Sequence, residues 1–182
     1  AGIREMIDNM PDTMSASPID LIRRDIEAAG HSIREITGRK QVINYQPDGT
    51  AVLGERPSEE RGSKGKIASV KAYNDGEANC LIGNVSAAVG LSAHASKKFK
   101  NTDRRVMFVA MPIPEINAFM QMLGRINRTG QLEQKEGMPK GSNLPKFFMT
   151  VSQSPTEQRI ASNQARKLAS LNANVTASDE TD

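Results

Sequence analysis

Gln121-Met122-Leu123-Gly124-Arg125-Ile126-Asn127-Arg128 carries the densest chemistry in the chain, and Thr129-Gly130-Gln131 follows directly. Arg125 and Arg128 are three apart, which on a helix puts them on one face, a turn from each other. A guanidinium is a planar fork of donors that stays charged at any working pH, so a pair of them suits a polyphosphate. Gly124, beside the first arginine, lets a ligand or another backbone come close. Cations of this kind serve phosphoryl transfer when they meet the γ-phosphate as charge develops on it. The alternative for an arginine pair is a solvated helix face.

A second stretch, Ser86-Ala87-Ala88-Val89-Gly90-Leu91-Ser92-Ala93-His94-Ala95, is built mostly from small side chains. After a strand it would expose backbone N–H groups able to hold a phosphate or a sugar. The same composition suits a tight turn with close helix–sheet packing. Lys97, Lys98, Lys100, Arg104 and Arg105 surround a single aromatic, Phe99. They form a basic cluster fit to follow a phosphate backbone, or else an ordinary solvated loop. Lys64 and Lys66 are similar but diluted by neighbouring acids. His31 and His94 are the only histidines and have no acids at ligand spacing, so no metal site is expected. Ser92 has no evident base partner, which leaves a serine hydrolase unsupported. Cys80 sits in an apolar run and suits packing rather than nucleophilic chemistry.

The elements that must position these residues are those of one domain of ordinary size, 182 residues long. With 37% hydrophobic and 4% aromatic residues, the core must come from aliphatic side chains and methionine. A net charge of +3 is too mild to indicate nucleic acid by itself. One cysteine excludes an internal disulfide and a cysteine-rich zinc site. There is no membrane-length apolar run and no signal-peptide pattern, so a reducing cytoplasm, or a nucleus in a eukaryote, is expected. A chain opening on Ala1 rather than Met is expected of a trimmed protein or an excised domain.

Residues 1–16 read as a lead-in segment. Ser17-Pro18-Ile19-Asp20 starts a helix, with Ser17 as cap, Pro18 in the first turn and an apolar stripe of Ile19, Ile22 and Ile26. Thr37–Lys40 is a turn, and residues 41–53 form a β-hairpin across Pro47-Asp48-Gly49. Residues 54–66 are charged and glycine-rich, as an exposed loop would be. A short helix over 67–73 and a strand over 79–83 lead to the small-residue loop. Residues 106–111 are continuously apolar, as in a parallel strand covered on both faces. A helix over 115–127 carries the arginines. Residues 129–143 form a loop, 147–151 a strand, and a last helix runs from Ser154 to about residue 171. Residues 172–182 are expected to be a disordered acidic tail. The alternation predicts an open α/β sheet, mainly parallel, with helices on both faces and a small hairpin insertion. Ligands of such sheets bind beyond the carboxyl ends of the strands.

In order and spacing, Gly90-Leu91-Ser92 and the Gln121–Arg128 segment resemble motifs V and VI of the second RecA-like lobe of superfamily 2 helicases. The chain is more closely similar to the strawberry notch family, and three places carry the likeness. Ser17-Pro18-Ile19-Asp20 followed by Ile36-Thr37-Gly38-Arg39-Lys40 resembles its S-P-L-D helix and M-T-G-R-K turn. Gly90-Leu91-Ser92-Ala93-His94-Ala95 resembles its G-I-S-L-H-A-D. Arg104 to Gln131 resembles its R-R-R-V strand and Q-Q-x-G-R-x-x-R-x-x-Q helix. Three positions depart from the pattern: Val89 stands for a small hydroxyl residue, Ser96 for Asp, and Ile113 for Trp.

The resemblance, over residues 17–131, implies a RecA-like lobe at 17–171. It implies arginine fingers at Arg125 and Arg128, with Gln121 positioning nucleotide or water. Gly90, Ser92, Gly124 and Gln131 would line the nucleotide site, and the basic cluster would hold nucleic acid, DNA in preference to RNA. The cofactor implied is ATP with Mg. No G-x-x-x-x-G-K-[ST] loop and no magnesium-binding acidic strand end occur in the sequence. ATP and Mg would therefore be held mainly by a first lobe, on the same gene product or a partner chain, and the lobe alone would hydrolyse nothing. The alternative is a non-catalytic RecA-like scaffold that binds protein or nucleic acid. A Rossmann enzyme is disfavoured, since no G-x-G-x-x-G follows a first strand.

Overall fold

The computed structural model describes Gly2, residues 17–84 and residues 90–176. The rest of the expected lead-in, residues 85–89 of the small-residue loop and residues 177–182 of the expected tail lie outside the described residues. The chain divides into two compact units, residues 1–73 with 77–83 and residues 74–76 with 84–182.

In the first unit, helix α1 (Pro18–Ala28) begins where Ser17 and Pro18 set it. Ser17 is extended and its hydroxyl accepts from the Asp20 N–H, while Pro18 supplies a first-turn residue that needs no hydrogen bond. The buried face is not the isoleucine stripe: Ile22 is 40% exposed and Asp20 only 4%. Strand β1 (Ile33–Glu35), which the sequence did not announce, pairs in parallel with β4 (Cys80–Ile82). The hairpin of β2 (Gln41–Tyr45) and β3 (Ala51–Glu55) is antiparallel, and Asp48 Oδ1 accepts from Thr50 N at 2.9 Å to close its turn.

The charged stretch 54–66 is not an exposed loop. It contains the end of β3, a 3₁₀ turn (Ser58–Glu60) and the start of helix α2 (Gly62–Asp75). Arg56 and Glu60 in it are each 1% exposed. Composition misled here because the charges neutralise one another inside the unit. Gly65 permits the arrangement: a Cβ there would lie 2.4 Å from the Glu60 carbonyl carbon.

The second unit holds β5 (Val106–Val109), helix α3 (Ile116–Leu123), β6 (Lys146–Met149) and helix α4 (Pro155–Thr176). β5 and β6 pair in parallel, Val106 opposite Lys146. The expectation that β5 is covered on both faces is not met. Phe108 is 70% exposed and stacks on Phe148 with centroids 5.1 Å apart, because β6 is the one strand paired with β5 among the described residues. α3 is capped by Glu115, whose carboxylate accepts from Asn117 N at 2.8 Å and from Ala118 N. α4 continues to Thr176, past the boundary expected near residue 171, so residues 172–176 are helical rather than disordered. The whole is mixed α/β. In place of one mainly parallel sheet, the described residues form three two-stranded sheets, two parallel and one antiparallel. Strands of three to five residues offer each other few ladder bonds.

The largest fully buried side chains are charged: Arg56, Arg105, Glu35 and Glu60. In the first unit they form a network. Arg56 Nη1 donates to the carbonyls of Thr37 (3.1 Å) and Arg39 (2.9 Å), and its Nη2 to those of Glu35 (2.8 Å) and Glu60 (3.1 Å). Arg39 joins α1 to β1, donating to Asp20 Oδ2 at 2.7 Å and to Glu35 Oε1 at 2.8 Å. Arg23 forks onto the Glu60 carboxylate at 3.0 and 3.3 Å. Burial opposes the charges of Asp20 and Glu35. Hydrogen bonds from Arg39, with the Ile43 N–H for Asp20 and the Thr37 hydroxyl for Glu35, outweigh it and hold both carboxyls below the ordinary range.

Arg56→Ala leaves those four buried carbonyls without their donor and removes one of the cations that face Glu35 and Glu60. It is expected to cost about 3–5 kcal/mol, read as a lower urea midpoint at unchanged slope. A midpoint like that of the parent chain would contradict the network's role. Because Asp20 and Glu35 have depressed values when folded, the unfolded chain takes up protons first as pH falls. Their contribution is complete above the unfolded carboxylate values of about 4 and is lost as pH drops through the folded ones. Urea midpoints measured across that window should fall with acid, and a flat profile would show that the carboxylates are not held as described.

Candidate functional site

The site is built where the small-residue loop lies along the arginine segment. Gly90 opens the described part of the loop with φ +80°, a backbone conformation that side chains rarely adopt. From Leu91 to Ser96 the loop has no regular structure. Ala93 N donates to the Arg125 carbonyl at 2.9 Å, and Leu132 N donates to the Ala95 carbonyl at 2.8 Å. Side chains complete the join: Arg125 Nη1 donates to the Leu91 carbonyl at 3.3 Å and Arg128 Nη1 to Ser92 Oγ. Ala93 and Ala95 are buried, so their small size serves close packing, while Gly90 is exposed at the outer end. Asn74 Nδ2 donates to the Ser92 carbonyl at 2.9 Å.

The arginines do not share a helix face. α3 ends at Leu123, and Gly124 is its C-cap at φ −63°, ψ −7°. Arg125 N then bonds to the Met122 carbonyl and Ile126 N to the Leu123 carbonyl, the tighter i to i+3 pattern common at helix ends. Ile126, 5% exposed, draws this turn into the core. Arg125 is half-buried with Nε lacking a partner, and Arg128 is exposed. What brings the two together is the Leu91–Ser92 loop. A Cβ on Gly124 would meet only the carbonyls of Met120 and Gln121, at 3.4 and 3.5 Å.

The other expected residues scatter. Gln121 is exposed on α3. Gln131 turns inward, its amide donating to the carbonyls of Leu132 (3.2 Å) and Asn143 (3.3 Å). Lys97, Lys98 and Lys100 are exposed on one turn, and Arg104 is exposed with Nε on the Leu144 carbonyl at 2.7 Å. Arg105 does not belong to that surface. It is 2% exposed and its guanidinium donates to the carbonyls of Ala93 (3.1 Å) and Asn101 (3.0 Å), holding the loop from beneath. Phe99 packs edge-on against His94, centroids 5.6 Å apart, rather than standing among the lysines. Ser96 Oγ accepts from Lys98 N at 3.3 Å, a bond that the family's Asp would also accept. Val89 lies outside the described residues.

Sequence reasoning missed Asn143, which straps the 129–143 loop by donating to the carbonyls of Leu132 (2.9 Å) and Thr102 (3.1 Å). A lone asparagine in a Gly/Pro/Lys segment gave no signal for it.

The local field is positive. Burial, and then Arg128, Arg105 and Lys98, disfavour the imidazolium of His94 and hold its pKa below the ordinary histidine value. A site of this sign is suited to an anion. Exchanging Arg128 for Ala removes one like charge, so the His94 pKa should rise toward its ordinary value in an NMR titration of the ring. No change would mean that the guanidinium does not sit over this loop.

The profile described as the C-terminal domain on strawberry notch homologues matches residues 22–181. Protein strawberry notch homolog 1 of Gallus gallus is 27% identical over 174 residues, 93% of this chain and 13% of that protein. Protein strawberry notch homolog 2 of Homo sapiens is 25% identical over 179 residues, 93% and 12% of the two chains. Protein strawberry notch of Drosophila melanogaster is 26% identical over 144 residues, 78% and 8%. The chain therefore spans 13% or less of the length of these relatives. No helix among the described residues is long and apolar enough to cross a membrane. With the Gly90–Ala95 loop and the Arg125–Arg128 segment joined as described, and a family match over most of its length, the chain belongs to the helicase C-terminal domain family of strawberry notch proteins.

Proposed function

We propose that this domain is the second RecA-like motor lobe of an ATP-dependent nucleic-acid translocase or helicase. It would supply Arg125 and Arg128 to ATP and Mg held by a first lobe. One observation carries it: both guanidiniums are anchored on the Leu91–Ser92 loop, one to a carbonyl and one to a hydroxyl. Each anchoring bond uses one of the five N–H donors of a guanidinium, leaving others for phosphate oxygens. Bound between lobes, ATP would supply the γ-phosphoryl group whose transfer to water drives the motor.

Arg128, exposed and held at Nη1 by Ser92, would stabilise charge on the departing phosphoryl group. Arg125, half-buried, would keep the loop and the finger in step through its own carbonyl, which accepts from Ala93 N. Gln121 on α3 would orient nucleotide or water. Lys97, Lys98 and Lys100 are the cations of the basic cluster left to meet a nucleic-acid strand.

Arg128→Ala, in a protein carrying both lobes, should lower nucleic-acid-stimulated ATP turnover by about 10³-fold or more, the lower range for an arginine finger. ATPase turnover at saturating nucleic acid measures it. Undiminished turnover would exclude Arg128 from the reaction and favour a scaffold lobe without catalysis.

A further inference from the structure

Helix α4 carries a second cationic feature that the motor reading leaves unused. Arg159, Arg166 and Lys167 are seven and eight residues apart, two turns of helix, which places them on one side. All three are exposed and line a cleft of about 810 Å³ between α4 and the turn at Pro114, with Pro155 and Ile160 as its apolar part. Among the described residues none of the three is in an ion pair within 4 Å; Arg166 Nη2 donates to the side-chain Oδ1 of Asn163 at 2.6 Å. The carboxylates nearest in sequence each hold backbone N–H groups. Glu115 accepts from the first N–H groups of α3 and also attracts Lys167, and Glu157 accepts from Ser152 N at 2.9 Å. Three cations therefore face one groove, and among the described residues Glu115 answers Lys167 alone, leaving Arg159 and Arg166 without an acid. A folded chain keeps such a groove at some cost in self-repulsion, and a polyanion would relieve it. Two planar guanidiniums favour phosphate oxygens, and the proline and isoleucine surface suits the faces of sugars or bases.

We propose that this α4 cleft binds a single strand of nucleic acid through its phosphates, at a place distinct from the lysine turn at residues 97–100. The inference rests on the nucleic-acid part of the proposed function and adds a location to it. The test uses the full chain and a labelled oligothymidylate, with binding followed by fluorescence anisotropy over a range of salt. Combining Arg159→Gln, Arg166→Gln and Lys167→Gln should weaken binding about tenfold or more at low salt. It should also lower the log–log salt slope by about 2, since each phosphate contact on a single strand contributes about 0.7. Arg159→Lys with Arg166→Lys keeps the charge and should keep the slope. Circular dichroism of each variant confirms that α4 is intact. Binding by the parent chain with an unchanged slope in the triple variant overturns the α4 site alone. If the parent chain fails to bind, the α4 site and the nucleic-acid reading fall together, while Arg128 is judged separately by ATPase.

Discussion

Buried guanidiniums donating to backbone carbonyls hold this protein in shape. Arg56 does so in the first unit and Arg105 in the second, each against irregular chain that has few ladder bonds of its own. Aliphatic residues in the core are few and small. Ala72, Ala78, Ala93 and Ala95 make up much of it, so apolar burial alone would give a loose interior. A rigid planar donor reaching several carbonyls at once substitutes direction for volume. The arrangement is unforgiving, because a buried charge that loses its partners has no solvent to fall back on.

The same device explains why the T-G-R-K turn and the S-P-I-D helix start occur together. Asp20 of the helix and Glu35 of β1 are bridged by Arg39 of the turn, and the turn's carbonyls are gripped by Arg56. A pattern that resembles a family signature is here a structural lock of the first unit. The Gly90–Ser92 and Arg125–Arg128 pair is the opposite case. Its arginines are only partly engaged, with donors to spare, in a field that Arg105 and Lys98 help make positive.

Much of this was legible in the sequence, and the rest was hidden for identifiable reasons. The start of α1 followed from Ser17 and Pro18, the hairpin from Pro47-Asp48-Gly49, and β5 from its unbroken apolar run. β1 was invisible because Ile-Arg-Glu is three residues long and two of them are charged; its Glu35 is buried only because Arg39 and Arg56 meet it. Arg105 was read as surface because it sits in a basic run, and nothing local separates it from Arg104. Only the chain's path turns one outward and the other in. The arginine segment was found by its spacing, but the helix was assumed to continue where Ile126 pulls it into a tighter turn.

Arg105 stands immediately before β5, and its own carbonyl accepts from Lys146 N at 3.0 Å, the first rung of pairing with β6. Side chains alternate across a strand, so a slip of one residue in this pairing would turn Arg105 to the opposite side. The slipped sheet would keep its backbone rungs but strand a guanidinium and release the loop that carries Ser92. An internal charge therefore proofreads the alignment of β5 with β6: a pairing one residue out would cost the loop its buried support.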